Sequence, residues 1–156
     1  MTVLSDRVMR ATPTIVRNTA AIRAGRLLEV QVDAGYRTTA DVDELFDAIE
    51  AESKKLAPSQ KLVTVADWRR ISVMSPEAAE RLRERMALLN PRTQRSAALV
   101  PPVAPIAVLQ FMRVVREANF ADRKIFDEVE ELAGWLQEVL TSEETRRLRE
   151  FLMVAR

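Results

Sequence analysis

Aliphatic and polar residues alternate over residues 26–33, close to the start of the chain. A period of two predicts a β-strand with one buried face, so polar residues such as Glu29 are expected to face solvent. Gly25 directly precedes this segment and can adopt the positive φ of a tight turn. Residues 19–23 and 26–33 are therefore predicted to form a β-hairpin.

The next apolar pattern has the period of a helix, and it begins at a residue suited to capping. Apolar side chains recur at helical spacing after Thr38, which predicts one buried helical face. Asp41 stands three residues after Thr38, as in an acidic variant of the capping box. A second helix is predicted to begin at Ser75, because Ser75 can cap it, Pro76 fits the first helical position and Glu77 suits the positive end of the dipole.

Short aliphatic segments between the helices are predicted to be further strands: residues 61–67, 95–100 and 124–126. Pro105 and Asp127 are predicted to begin two more helices, with Met112 on the buried face of the first of these. An amphipathic helix is predicted over residues 142–156. Strands that alternate with helices predict an α/β fold: a single-layer mixed, mainly parallel sheet of about four to five strands with helices packed on it, plus the C-terminal helix.

The domain organisation follows from the absence of any repeat, low-complexity tract or linker along the 156 residues. We expect one domain over residues 14–140. An N-terminal arm over residues 1–13 precedes it, and the amphipathic helix in residues 141–156 follows it. The apolar side of that last helix suits packing, dimerisation and partner binding equally.

Composition limits the chemistry that the chain can perform. The sequence has no cysteine and no histidine, which excludes disulfides, thiol nucleophiles, cysteine–histidine zinc sites and imidazole acid–base catalysis. No arrangement of the remaining carboxylates, lysines and hydroxyls indicates a reaction. We therefore expect a protein that is not an enzyme and that uses neither a metal nor a cofactor.

Charge and hydropathy narrow the class of partner. The formal net charge is +1, from 24 basic and 23 acidic residues, so no strong field steers the protein toward nucleic acid. No apolar run reaches the roughly 18 residues that span a membrane, and the first residues lack the apolar core of a secretory signal. We expect a cytoplasmic protein that binds no nucleic acid and does not insert into a membrane.

Four segments carry a family resemblance over residues 14–140: residues 35–39, 63–67, 97–100 and 119–136. They are similar to the motifs of anti-sigma-factor antagonists, the STAS or SpoIIAA-like proteins, and more narrowly to the "STAS/SEC14" group of small bacterial proteins. The resemblance implies a STAS fold. It also implies a regulatory module that acts by docking another protein in a bacterial signalling pathway.

In classical antagonists of this type, a kinase phosphorylates a serine at the start of the helix after the central strand. Residues 71–77 occupy that loop here but lack the usual Asp-Ser-Ser-Gly pattern; Pro76 stands where the acceptor is expected. From its position alone, Ser75 is first of all a helix cap. The resemblance nominates these residues for partner docking or phosphorylation: Asp67, Trp68, Arg69, Arg70, Ser72, Ser75 and Glu77.

Asp67 has two further interpretations. With Lys124 it matches two positions of a phosphorylated-aspartate receiver, but such receivers also need an acidic pair after the first strand, where Asp33 stands alone. The favoured interpretation is a structural Asp67 that caps loop amides or pairs with Arg69 or Arg70.

Two other functions stay open beside protein docking. The chain is also interpreted as a carrier of a small apolar, lipid-like ligand held between the sheet and the third or fourth helix. A structural subunit of a homodimer is the remaining alternative.

Overall fold

The computed structural model describes residues 16–154, and a five-stranded sheet forms its centre. The strands are β1 (Thr19–Ala24), β2 (Leu27–Gln31), β3 (Leu62–Asp67), β4 (Thr93–Leu99) and β5 (Arg123–Phe126). They lie side by side in chain order; β1 is antiparallel to β2 and the other pairs are parallel. The predicted hairpin and mainly parallel sheet are confirmed. The predicted arm over residues 1–13 lies outside the described residues.

The helices are α1 (Thr39–Ser53), α2 (Pro76–Leu89), α3 (Pro105–Glu117), α4 (Val129–Gln137) and α5 (Ser142–Met153). Thr38 caps α1 in a capping box with Asp41, and Ser75 caps α2, both as predicted. The prediction that Asp127 caps α4 is wrong. The helix begins one residue later, with Glu128 at the N-cap position and no side-chain cap.

Three helices cover one face of the sheet. Right-handed crossovers that all step in the same direction place their helices on the same side, and α1, α2 and α3 share a hydrophobic core with that face. The other face of the sheet is covered by α4 and α5, which follow the last strand. Of the three roles that the sequence left open for the C-terminal helix, packing is observed: α5 packs on the sheet through Leu148, Phe151 and Leu152.

The prediction of a solvent-facing side for β2 is wrong, because α5 covers it. Glu29 is only 2% exposed. Its carboxylate accepts from Arg147 of α5 at 2.5 Å (Nε) and 2.9 Å (Nη2), and from Arg23 at 2.9 Å. These hydrogen bonds raise the pKa of Arg147. A buried carboxylate needs such a countercharge. The polar position Glu29 in the alternating pattern of β2 therefore belongs to a buried ion pair between the sheet and α5, and not to a solvent-exposed face.

A second buried carboxylate holds the start of α5. Glu144 forms a capping box with Thr141 and accepts from the backbone N–H of Arg26 at 2.7 Å. Gly25 has φ +51°, and a Cβ atom there would overlap the Glu144 carboxylate. The hairpin turn therefore needs glycine both for its backbone conformation and for the approach of α5.

Met112 is also placed differently from its prediction. It is 48% exposed, because it lies about 100° around α3 from the buried Phe111. The apolar residues of α3 spread around more than one face of the helix, and only part of them fits against the sheet.

Replacing Arg147 with alanine leaves the buried Glu29 with Arg23 as its remaining cation. The free energy of unfolding is expected to fall by about 3 kcal/mol, because a buried charge loses its main partner. Urea denaturation followed by circular dichroism measures this loss. The control is Arg149→Ala, which removes an exposed pair with Glu130 and should change stability by less than about 0.5 kcal/mol. Equal losses in both variants would contradict the role given to Glu29.

Candidate functional site

The loop after β3 lies at the carboxyl end of the central strand and leads into α2. This edge of a parallel sheet is where α/β folds place their binding groups. The seven residues nominated from the sequence lie in this loop or at its two ends, from Asp67, the last residue of β3, to Glu77 in the first turn of α2. The structure separates six of them into three groups: a buried ion pair, a buried aromatic support and an exposed surface. The seventh, Ser72, is half-buried beside Gly35.

Asp67 and Arg69 form the ion pair. Arg69 donates to the buried Asp67 carboxylate from Nε at 2.9 Å and from Nη2 at 2.7 Å, and its backbone N–H donates at 3.2 Å. The hydrogen bond to Asp67 raises the pKa of Arg69. The same guanidinium donates to the carbonyls of Leu152 and Val154 at the end of α5. Asp67 thus has the structural role that was favoured, and it fixes the first turn of the loop.

Lys124, the second residue of the receiver interpretation, is engaged elsewhere. Its ammonium lies 4.9 Å from the ring centroid of Trp135 on the face covered by α4. Asp67 pairs with Arg69 and Lys124 packs against Trp135, so both residues that match a phosphorylated-aspartate receiver make structural contacts in this protein.

The buried ring of Trp68 supports the loop from the side of the hydrophobic core. It is 1% exposed and lies between Tyr36 and Phe111, with ring centroids 4.9 Å and 5.0 Å away in edge-on geometry. Its backbone N–H donates to Leu99 at 2.8 Å, while its indole N–H has no acceptor among residues 16–154. A ring buried in this way does not contact a partner directly; it positions the residues above it.

Gln110 of α3 holds the middle of the loop, and sequence reasoning missed it. Its side chain accepts from the Met74 N–H at 3.0 Å and donates to the Met74 carbonyl at 3.1 Å. A lone amide on a largely apolar helix is the signal that could have drawn attention to it. On the other side of the loop, Ser72 lies so close to Gly35 (φ +77°) that a Cβ atom there would be 2.5 Å from the Ser72 hydroxyl.

Ser75, Glu77 and Arg70 form the polar part of the exposed surface. The Ser75 hydroxyl accepts from Ala78 N–H at 3.1 Å and is half-buried. Glu77 is exposed in the first turn of α2. Arg70 is exposed and forms no ion pair with any other residue of the described chain.

Large apolar side chains stand exposed next to this loop. Four of them are between 58% and 69% exposed: Val73, Val103, Ile106 and Leu109. Ile106 lies one helical turn before Gln110, which is bonded to the residue after Val73, so loop and helix present one surface. We call this surface, together with Arg70, the docking face. Among the predicted residues only Arg70 belongs to it; its apolar part was not predicted.

A cavity lies between the sheet and helices α1 to α3, and the side of α3 is one of the two places expected for an apolar ligand. It holds about 60 Å³ and is lined mainly by aliphatic and aromatic side chains, whereas ligand pockets commonly hold roughly 300–1,000 Å³. Arg123 lines it and donates to Asn90 and to the Met86 carbonyl. Burial lowers the pKa of Arg123 to about 10. The space fits a few small atoms and not a lipid chain.

Among residues 16–154, no group of three or more acidic side chains is arranged to hold a metal ion. No helix in this part of the chain has the length and apolarity to cross a bilayer.

Replacing Ser75 with alanine removes the acceptor for the Ala78 N–H, so the free energy of unfolding should fall by about 1 kcal/mol. Ser75→Asp keeps an acceptor at the N-cap and should stay within about 0.5 kcal/mol of the original. Urea titrations of the three proteins measure both changes. Unchanged stability of the alanine variant would show that Ser75 is not an effective cap.

Tyr36 is the single tyrosine of the chain, and its burial raises the pKa of its phenol above the usual value of about 10. The unfolded chain releases this proton at lower pH than the folded chain. Stability from the neutral phenol is therefore present below about pH 10 and is lost as the pH rises beyond it. Near-ultraviolet absorbance should show tyrosinate only when circular dichroism shows unfolding. Tyrosinate at about pH 10 in the folded protein would contradict this burial.

Comparison with known proteins bears on the fold. No family model matches the chain, and no curated protein matches it. A solved structure does: an uncharacterized protein from the DUF3478 family with a SpoIIAA-like fold, from Shewanella loihica PV-4. It superposes with a TM-score of 0.57 at 15% sequence identity, over 80% of this chain and 98% of that one. The likeness predicted from short motifs is confirmed at the level of the fold, and this chain has a SpoIIAA-like fold.

Proposed function

We propose that this protein is a non-enzymatic interaction module of a bacterial regulatory pathway, and that it binds another protein through the docking face. The observation that carries the proposal is the group of four exposed aliphatic side chains beside the loop after β3. Contiguous apolar surface of this kind on a folded domain marks interaction sites.

The composition of the docking face specifies the chemistry of the partner. Aliphatic side chains at its centre favour an apolar segment, and water would be excluded there on binding. Arg70 stands at the edge without an ion pair among the described residues. Arginine is favoured at interface hot spots, where its fork pairs with carboxylates. The expected partner surface is therefore apolar at its centre with a carboxylate near its rim.

The loop is also rigidly supported, which favours binding. The Gln110 amide, the Asp67–Arg69 pair and the Trp68 ring hold it from three sides. A surface that is ordered before binding loses less conformational entropy when the complex forms. The supports thus contribute to affinity although they do not contact the partner.

Ser75 and Ser72 remain the proposed sites of regulation by phosphorylation. A phosphate on Ser75 would lie at the N-terminus of α2, where the helix dipole favours an anion. Glu77 lies two residues away and opposes it by like charge. Because this position borders the docking face, the added charge would act on partner binding directly.

The carrier of an apolar ligand is the less favoured function. Such a ligand was expected between the sheet and the third or fourth helix, here α3 or α4. The cavity beside α3 holds about 60 Å³, several times less than ligand pockets usually hold. A groove of about 530 Å³ between α3 and α4 has the volume, but it is open to solvent and its lining includes the charged side chains of Arg116, Lys124, Asp127 and Glu131. No observation on the described residues favours a reaction, so the protein is proposed to act by binding alone.

The test compares partner retention by matched variants. The tagged protein is purified gently from its own host and bound proteins are quantified by mass spectrometry. The wild type and Leu88→Asp should retain the same protein near equal stoichiometry, since Leu88 is 74% exposed on α2 but lies outside the docking face. Ile106→Asp should retain it at least about tenfold less, the effect of losing one hot-spot contact.

Two outcomes would overturn the proposal. One is that wild-type protein retains no other protein at defined stoichiometry. The other is that Ile106→Asp and Leu88→Asp retain the same protein equally well, which would place the interface elsewhere.

A further inference from the structure

β5 forms one edge of the sheet, and its outer backbone groups are available for pairing. The carbonyls of Asp122 and Phe126 accept from the backbone N–H groups of Ser96 in β4 at 2.9 Å and of Val100, directly after β4, at 2.8 Å. In a parallel ladder, alternate residues point to opposite sides, so the N–H and C=O of Ile125 point to the free edge. The opposite edge differs, because Glu52 of α1 accepts from the Ile22 N–H of β1 at 2.8 Å.

A groove of about 530 Å³ runs along this free edge between α3 and α4. We call it the edge groove; its lining residues are Val108, Met112, Arg116, Lys124, Ile125 and Glu131, among others. Ile125 packs toward the core under α1 to α3, whereas Phe126 packs toward α4. A strand added here would have the apolar side chains of Val108 and Met112 of α3 on one face and Glu131 of α4 on the other.

The charges along β5 are arranged so that one copy of the strand is complementary to a second copy that runs antiparallel to it. β5 begins with two cations, Arg123 and Lys124, and two carboxylates follow it, Asp127 and Glu128. Two copies of a strand related by a two-fold axis run antiparallel, so the basic start of one lies against the acidic end of the other. From this complementarity we infer that a second copy of this chain occupies the edge groove and pairs β5 with β5.

The pleat of the strand selects the register. The two-fold axis of an antiparallel pair is perpendicular to the sheet, so only residues on the same face stand opposite one another. With the axis at Ile125, the backbone of Arg123 stands opposite that of Asp127 of the second copy, while the Arg123 guanidinium stays bonded to Asn90 and the Met86 carbonyl. The exposed Lys124 is then a diagonal neighbour of Glu128 of the second copy and supplies the charge contact. Both Ile125 residues exchange their free N–H and C=O groups.

The same arrangement covers exposed residues of α3. Because the axis is perpendicular to the sheet, the two α3 helices lie next to each other on one face of a continuous sheet. Met112 lines the edge groove and is 48% exposed in the single chain; it would be buried between them. Arg116 lines the groove without an ion pair among residues 16–154.

The inference is tested by measuring the oligomeric state of the wild type and of variants in which the charges of Lys124 and Glu128 are exchanged. Wild-type protein should sediment with twice the chain mass of 17.7 kDa. Lys124→Glu and Glu128→Lys should each raise the dissociation constant of the dimer about tenfold or more, because each places like charges together at both symmetric contacts. The double variant Lys124→Glu/Glu128→Lys should dimerise again. An equal mixture of the two single variants should also dimerise, since both contacts then join opposite charges.

Dimerisation of the double variant and of the mixture would show that the single variants lose dimerisation because of their charges and not because they misfold. Lys54→Glu, which changes the net charge equally at an exposed site on the far end of α1, is the control and should stay dimeric. A wild type that is monomeric at all concentrations overturns the inference. So does a Lys124→Glu variant that dimerises as tightly as the wild type. Neither result bears on partner binding through the docking face, which Ile106→Asp tests separately.

Discussion

The connections between the parallel strands place their helices on one face of the sheet, so none of these helices covers the other face. The rest of the structure depends on covering that second face. α1, α2 and α3 all lie on the opposite side. Leu27, Val63 and Leu99 are therefore buried only because α4 and α5 return after the last strand. The C-terminal helix is an integral layer of the fold. Its position is specified by Glu29 and Glu144, buried carboxylates that each need a particular donor.

The docking face lies on this sheet with both faces covered, and it is an open surface and not a cleft. The ion pair, the aromatic support and the amide of Gln110 come from three different elements and converge on one short loop. Their polar groups are used internally, which leaves aliphatic side chains and one arginine to meet solvent. Such a surface fits the proposed binding of an apolar partner segment.

The parts of the fold that depend on local chemistry could be predicted from the sequence. Thr38 and Ser75 cap their helices through residues three positions away, and Asp67 pairs with a residue two positions away. Contacts between distant segments could not be predicted. A polar residue on a strand has the same pattern whether it meets water or, like Glu29, an arginine more than a hundred residues later. Likewise, the apolar residues around α3 do not reveal which of them the sheet leaves uncovered.

Arg69 connects the two sides of the sheet. Its guanidinium is shared between Asp67 in the loop and the last carbonyls of α5. Because one guanidinium serves both sets of acceptors, a change at one set alters the hydrogen bonds at the other, and this coupling is equal in both directions. The last turn of α5 is therefore electrostatically coupled to the loop after β3, so a substitution that displaces the carbonyl of Leu152 or Val154 also alters the environment of Asp67.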